Sequence, residues 1–126
     1  MTNKVVFSPE APAAAAAYSQ AIDAGGFIFC SGQIPLDPAT GEMVQGSIKE
    51  QTRRCLENLR AVVRAAGLEM SDIVKVTVLL ADIGDYDAMN EVYAEFFTEA
   101  APARAAFAVA GLPKGAAVEI ECIARR

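Results

Sequence analysis

Arg104 is the only charged residue between Glu99 and Lys114, set in a run of alanine, proline and other small or apolar side chains. A guanidinium is not neutralised in a protein, so one isolated in such surroundings needs an anion. Its planar fork matches a carboxylate or a phosphate in a bidentate pair, strongest where water is excluded. Fifteen residues further on, Glu119-Ile120-Glu121 offers carboxylates from a segment that reads as a strand. Two arrangements satisfy these groups. Either Arg104 pairs with one of the glutamates across a hairpin, or it holds a ligand anion and leaves a carboxylate free for proton transfer. The chain contains no histidine, the side chain that usually moves protons near neutral pH. Any proton chemistry therefore falls to a carboxylate, a hydroxyl or bound water.

Cys30, Cys55 and Cys122 are widely spaced and form no C-x-x-C pair. Three scattered thiols without histidine supply no zinc framework. Each reads as a buried, reduced thiol packed as a small hydrophobe.

These residues sit in a chain of 126 residues, long enough for one domain with a real core. The hydrophobic fraction of 53% argues against disorder. The net charge of −5 disfavours nucleic-acid binding through a basic surface, and the terminal Arg125-Arg126 is only a short basic pair. No apolar run approaches the roughly 18–20 residues of a membrane span. The first residues lack the order of a secretory signal. A cytosolic protein that binds neither nucleic acid nor membrane is expected.

The elements that would position the chemistry can be read in order. Lys4–Phe7 is a short strand ended by Ser8-Pro9, followed by an alanine-rich lead-in to Ala17. Tyr18–Ala24 and Phe27–Gln33 form a hairpin about Gly25-Gly26. In the second of these strands Phe27, Phe29, Ser31 and Gln33 share one face. Ser47-Ile-Lys-Glu50 is a capping box that opens a helix to about Ala66, closed by Gly67. Ile48, Cys55, Leu59, Val62 and Ala66 give that helix one buried stripe. Ile73–Leu80 is a strand with Val74, Val76, Val78 and Leu80 on one side. Asp85 caps a second helix through Phe97 that buries Met89, Val92 and Tyr93. Ala103–Val109 and Ala117–Ala124 are the last two strands, joined through Gly111–Gly115. The order is ββ(β)–α–β–α–ββ.

Two helices cover only one face of such a sheet. The other face carries Lys75, Thr77, Leu79, Glu119, Glu121 and Ile123, neither cleanly polar nor cleanly apolar, which suits a subunit interface better than open solvent. A homo-oligomer is expected.

Tyr18-Ser-Gln-Ala-Ile, Cys30-Ser-Gly-Gln-Ile-Pro35, Pro102-Ala-Arg104, Leu112-Pro-Lys and Val118-Glu-Ile-Glu121 stand in the order of a known pattern. With Ala66-Gly-Leu and Asp72-Ile-Val-Lys-Val-Thr-Val, they make the whole chain resemble the RidA/YjgF reactive-intermediate deaminase family. That resemblance implies an α+β, chorismate-mutase-like fold: a mixed β-sheet with two helices packed on one face. It implies a homotrimer with sites in the clefts between subunits. The implied activity is hydrolysis of enamine and imine acids such as 2-aminoacrylate, 2-iminopropanoate and 2-iminobutanoate to 2-keto acids and ammonia. No metal or organic cofactor is implied.

Carried over residue by residue, Arg104 matches the arginine that grips the substrate carboxylate. Glu119 matches the glutamate that directs the attacking water. Ser31 matches a serine that hydrogen-bonds substrate or water; as a nucleophile it lacks an activating base. Tyr18 would wall the pocket, and Asn90 would bind ligand or satisfy buried backbone. Gly32 and the backbone of Ala106 would approach the ligand without side-chain obstruction. The chain departs from the pattern in three places. Glu99-Ala-Ala-Pro102 is about three residues short, Ala16-Ala17 replaces a common Gly-Pro, and Ala106 stands where many relatives carry cysteine. Two alternatives stand beside this reading, the first of them motivated by the shortened Glu99–Pro102 stretch. One is a paralogue acting on another enamine intermediate, the other a non-catalytic, chaperone-like trimer that binds small carboxylates. A ribonuclease role, also attached to the family, fits poorly with an acidic chain lacking histidine.

Overall fold

The computed structural model describes residues 3–126. Its strands are β1 (Lys4–Val6), β2 (Ala21–Ala24), β3 (Phe27–Gln33), β4 (Ile73–Leu80), β5 (Ala103–Ala108) and β6 (Val118–Arg125). The helices are α1 (Ile48–Ala65) and α2 (Tyr86–Phe96). The strands form one sheet in the order β1-β2-β3-β6-β4-β5. All neighbours are antiparallel except β4 and β5, which run parallel with α2 as the crossover between them. This is the expected mixed sheet with two helices against one face.

Local chemistry explains the element ends. Gly25 and Gly26 adopt φ of 65° and 92°, so the two-residue turn has both central residues in the left-handed region that favours glycine. At the start of α1 the Ser47 side chain accepts from the Glu50 N–H, and Glu50 Oε1 accepts from the Ser47 N–H. At its end Gly67, at φ 81°, donates to the Arg64 carbonyl at 2.9 Å, and Leu68 donates to the Val63 carbonyl at 3.1 Å. Those two bonds complete a Schellman motif.

The core lies between the helices and the sheet. Cys55, Leu56, Leu59, Val62 and Val63 of α1 meet Ile28, Val76, Val78, Leu80, Val118 and Ile120, all fully buried. Each such aliphatic side chain contributes about 1.5–3 kcal/mol of transfer free energy. All three cysteines are buried and unbridged, and Cys30 stands opposite Cys122 across β3 and β6.

Five expectations need correction. Tyr18–Gln20 lie outside β2: they face the bulged part of β3, where the Gln20 carbonyl accepts from the Ser31 N–H at 2.9 Å and the Ser19 carbonyl accepts from the Ser31 hydroxyl instead of from a regular ladder. Val74 is 43% exposed; a register irregularity between Ile73 and Lys75 turns it out of the buried row, and Ile73 takes its place. Asp85 makes no side-chain cap on α2. Asp82, three residues earlier, accepts from the Gly84 N–H instead and caps the preceding single turn. β5 and β6 are not a hairpin, since β4 lies between them. Finally, Gln33 is buried with Ile120 instead of sharing the exposed row of Phe27 and Phe29, because β3 bulges at Ser31-Gly32.

The face away from the helices carries a continuous apolar row. Val5, Ile22, Phe29 and Ile123 are successive ladder partners across β1, β2, β3 and β6. Val5, Phe27, Phe29 and Phe107 are exposed on this chain.

Candidate active site

The bulge in β3 shapes one half of the site. Ladder pairing runs from Cys30↔Cys122 to Gln33↔Ile120, so Ser31 and Gly32 together oppose the single residue Glu121. The extra residue bends the strand away from β6 and opens room for the side chain of Glu119. A Cβ on Gly32 would overlap the Glu119 carboxylate and lie 3.0 Å from its Cδ. The glycine is there because the glutamate occupies the space its side chain would need.

Glu119 lines a cavity of about 450 Å³ together with Tyr18, Ser31, Gly32, Pro12 and Lys114. Burial raises the Glu119 carboxyl above its ordinary value, and the neighbouring Glu121 charge raises it further. The Ser31 hydroxyl donates to the Ser19 carbonyl at 2.6 Å, which leaves its oxygen free to accept. One wall is the alanine-rich lead-in, tied down by the buried Gln20. Its Oε1 accepts from the Ser8 N–H at 2.7 Å, and its Nε2 donates to the Pro12 carbonyl at 2.9 Å. The opposite rim carries Lys114, whose φ of 56° puts a non-glycine residue in the left-handed region.

Arg104 forms a second, separate half. It lies on β5, an edge strand, opposite Val76 in the ladder and so on the helix side of the sheet. Its Nη1 donates to Asn90 Oδ1 at 2.7 Å and its Nη2 to the Tyr86 hydroxyl at 2.6 Å. Its guanidinium carbon sits 4.6 Å from the centre of the Tyr93 ring and 5.5 Å from that of Tyr86. Among the described residues no carboxylate pairs with it. The alternative of an ion pair with Glu119 or Glu121 is therefore overturned, for the physical reason that β4 separates the two strands. Arg104, Asn90, Tyr93, Phe97 and Pro102 line a cavity of about 250 Å³.

One chain thus gathers Tyr18, Ser31, Gly32 and Glu119, and separately Arg104 with Asn90. Leu79 is the ladder partner of Glu119 and Val76 that of Arg104, so the two candidate side chains leave opposite faces of the sheet. Ala106 is half-buried against the core, opposite Val78, and lines neither cavity. Asn90 binds the Arg104 side chain instead of backbone. Tyr86 and Gln20 were missed by the sequence reading. The signal for Tyr86 was present: Tyr86, Asn90 and Tyr93 are spaced four and three apart, one stripe of a helix.

The sequence model of the endoribonuclease L-PSP family matches residues 8–126. A RutC family protein of Pyrococcus horikoshii is 54% identical over 121 residues, covering 96% of each chain. A Rattus norvegicus protein named 2-iminobutanoate/2-iminopropanoate deaminase is 48% identical over 121 residues, which is 96% of this chain and 88% of the relative. The crystal structure of E. coli TdcF with bound serine matches at a TM-score of 0.94 and 44% identity, covering 98% of each chain. With its motifs, sheet order and near-complete coverage in agreement, the chain belongs to the RidA/YjgF family.

Proposed function

We propose that this protein hydrolyses small 2-imino and enamine acids, 2-iminopropanoate and 2-iminobutanoate among them, to 2-keto acids and ammonia. The observation that carries the reading is Arg104: a half-buried guanidinium that takes only neutral oxygens in its own chain and leaves N–H groups for a carboxylate. Relatives bearing the deaminase name support it.

The chemistry needs an anchored carboxylate, a water and one group that exchanges protons. Arg104 holds the substrate carboxylate. Glu119, ionised, takes a proton from water as the oxygen bonds to the carbon of the N-protonated imine, whose C=N electron pair moves to nitrogen and leaves a neutral amine. The protonated Glu119 then returns that proton to the nitrogen, and the C–N bond breaks with its electron pair leaving on ammonia. The re-ionised Glu119 takes the hydroxyl proton as that oxygen becomes the keto oxygen, passing it on to the ammonia, which departs as ammonium. A carboxyl raised by burial lies closer to working pH and serves both directions better than an ordinary one. The Ser31 oxygen accepts a hydrogen bond from the water, and Tyr18 closes the apolar wall.

Because Glu119 and Arg104 leave opposite faces of the sheet, two protomers complete each site in this reading. The unpartnered row of Val5, Ile22, Phe29 and Ile123 supports assembly through the open face, as a homotrimer. The test mixes two inactive variants, Arg104→Ala and Glu119→Gln, after unfolding and refolding them together. Random trimers would place an intact Glu119 beside an intact Arg104 at about a quarter of sites. Recovered turnover of 2-iminopropanoate, generated by an amino-acid oxidase, at roughly that level supports the reading. An inactive wild type, or an Arg104→Ala protein as active as wild type, sinks it.

A further inference from the structure

We propose that Tyr86 is a positioning residue for Arg104, setting the direction in which the guanidinium meets a ligand carboxylate. The inference rests on Arg104 as the carboxylate receptor and adds a residue that acts through it. Tyr86 opens α2, Asn90 follows one turn later and Tyr93 nearly another, so the three side chains form one stripe facing the β5 edge. Each contributes a different constraint. Asn90 fixes Nη1 at 2.7 Å, Tyr86 fixes Nη2 at 2.6 Å, and the Tyr93 ring lies under the guanidinium at 4.6 Å. Two point contacts and a face leave a planar group little freedom to turn.

The acceptors are neutral, and that is the useful part. A carboxylate at either position would compete with the ligand for the cation, whereas an amide oxygen and a phenol oxygen only orient it. Of the five guanidinium N–H groups, two are engaged here and three remain for a carboxylate. The phenol oxygen accepts from Arg104, so its own O–H stays free to donate outward. Burial pushes the Tyr93 phenol up, against the opposing Arg104 charge, so the floor of this cradle stays neutral. An arginine held in its binding orientation loses less side-chain freedom when a ligand arrives.

The experiment compares wild type with Tyr86→Phe, which keeps the ring and removes only the hydroxyl. Binding of pyruvate, the product-side 2-keto acid, is measured by calorimetry, and turnover of 2-iminopropanoate by keto-acid release. We expect Kd and KM to rise about 10–150-fold, the size expected for one hydrogen bond to a charged group, with kcat within about twofold. The same substitution in an Arg104→Lys background should change pyruvate binding little, because an ammonium cannot make this planar contact. An unchanged Kd in Tyr86→Phe overturns the proposal. So does an equal loss in both backgrounds, which would mean that the hydroxyl serves packing. Arg104→Ala is run alongside. If it binds pyruvate as tightly as wild type, the carboxylate-receptor reading itself fails; if it loses binding while Tyr86→Phe does not, only the role of Tyr86 is lost.

Discussion

Gly32 and Glu119 share one volume: the carboxylate of Glu119 occupies the place a Cβ on residue 32 would take, with Cδ only 3.0 Å from that position. The contact is made possible by the β3 bulge, which sets Ser31 and Gly32 together against Glu121. A missing side chain on one strand thereby fixes the proposed proton-transfer group on the next. The backbone of Gly32 has no left-handed φ, so its requirement is steric.

Gly32→Ala should fold and lose activity. The added methyl must push Glu119 by an ångström or so, and a misplacement of that size costs about 10²-fold in rate. Steady-state kinetics should show the loss in kcat. In a Glu119→Gln background the same substitution should add almost nothing, and a full additional loss there would separate Gly32 from Glu119.

The pH profile should carry the mark of the raised Glu119 carboxyl. As base it must be ionised, so kcat/KM should fall as pH drops through a value above the ordinary 4.5. Stability runs the other way. The folded state binds this proton more tightly than the unfolded state, so the contribution of Glu119 is most favourable below the ordinary value and declines as pH rises through the raised one. Glu119→Gln should therefore melt higher than wild type at neutral pH, with the difference shrinking toward pH 4. Thermal melts across pH check this; a variant that melts lower at neutral pH would contradict it.

Assembly should depend on the open face. Phe29→Glu puts a charge in the middle of the Val5, Ile22, Phe29, Ile123 row without touching the helix-side core. Sedimentation should show monomers with intact far-UV circular dichroism and at least about 10²-fold less turnover, since each proposed site needs a partner. Monomers with full activity would place both halves of the site within one chain.

Ser47→Ala should separate stability from function. Removing the capping oxygen that accepts from Glu50 costs about 1 kcal/mol. The cap lies outside both cavities, so kinetics should be unchanged while the denaturation midpoint falls. A change in KM here would reveal coupling between the start of α1 and the site.

Much of this was legible because it depends on near neighbours. The Ser47–Glu50 capping box and the Gly25-Gly26 turn are satisfied by bonds spanning a few residues, and both appear as expected. Val76, Val78 and Leu80 alternate because a strand has period two, and they are buried as read. The failures share a cause. Val74 and Gln33 left their expected faces because bulges add a residue on one strand against its partner, and a bulge is a property of a pair. The Arg104–glutamate hairpin pair failed because β4 inserts between β5 and β6, which no local pattern records.

Taken by itself, the sequence determined that a lone guanidinium would require an anion, and that a chain without histidine would leave proton transfer to a carboxylate. It also determined the family, through motifs spread over nearly the whole chain. Only the tertiary structure decided that Arg104 and Glu119 leave opposite faces of one sheet, that neutral oxygens of Tyr86 and Asn90 hold the arginine, and that Gly32 makes room for the glutamate. The reason is physical. Charge and side-chain chemistry belong to each residue alone, whereas face, register and steric exclusion exist only once strands distant in sequence have been paired.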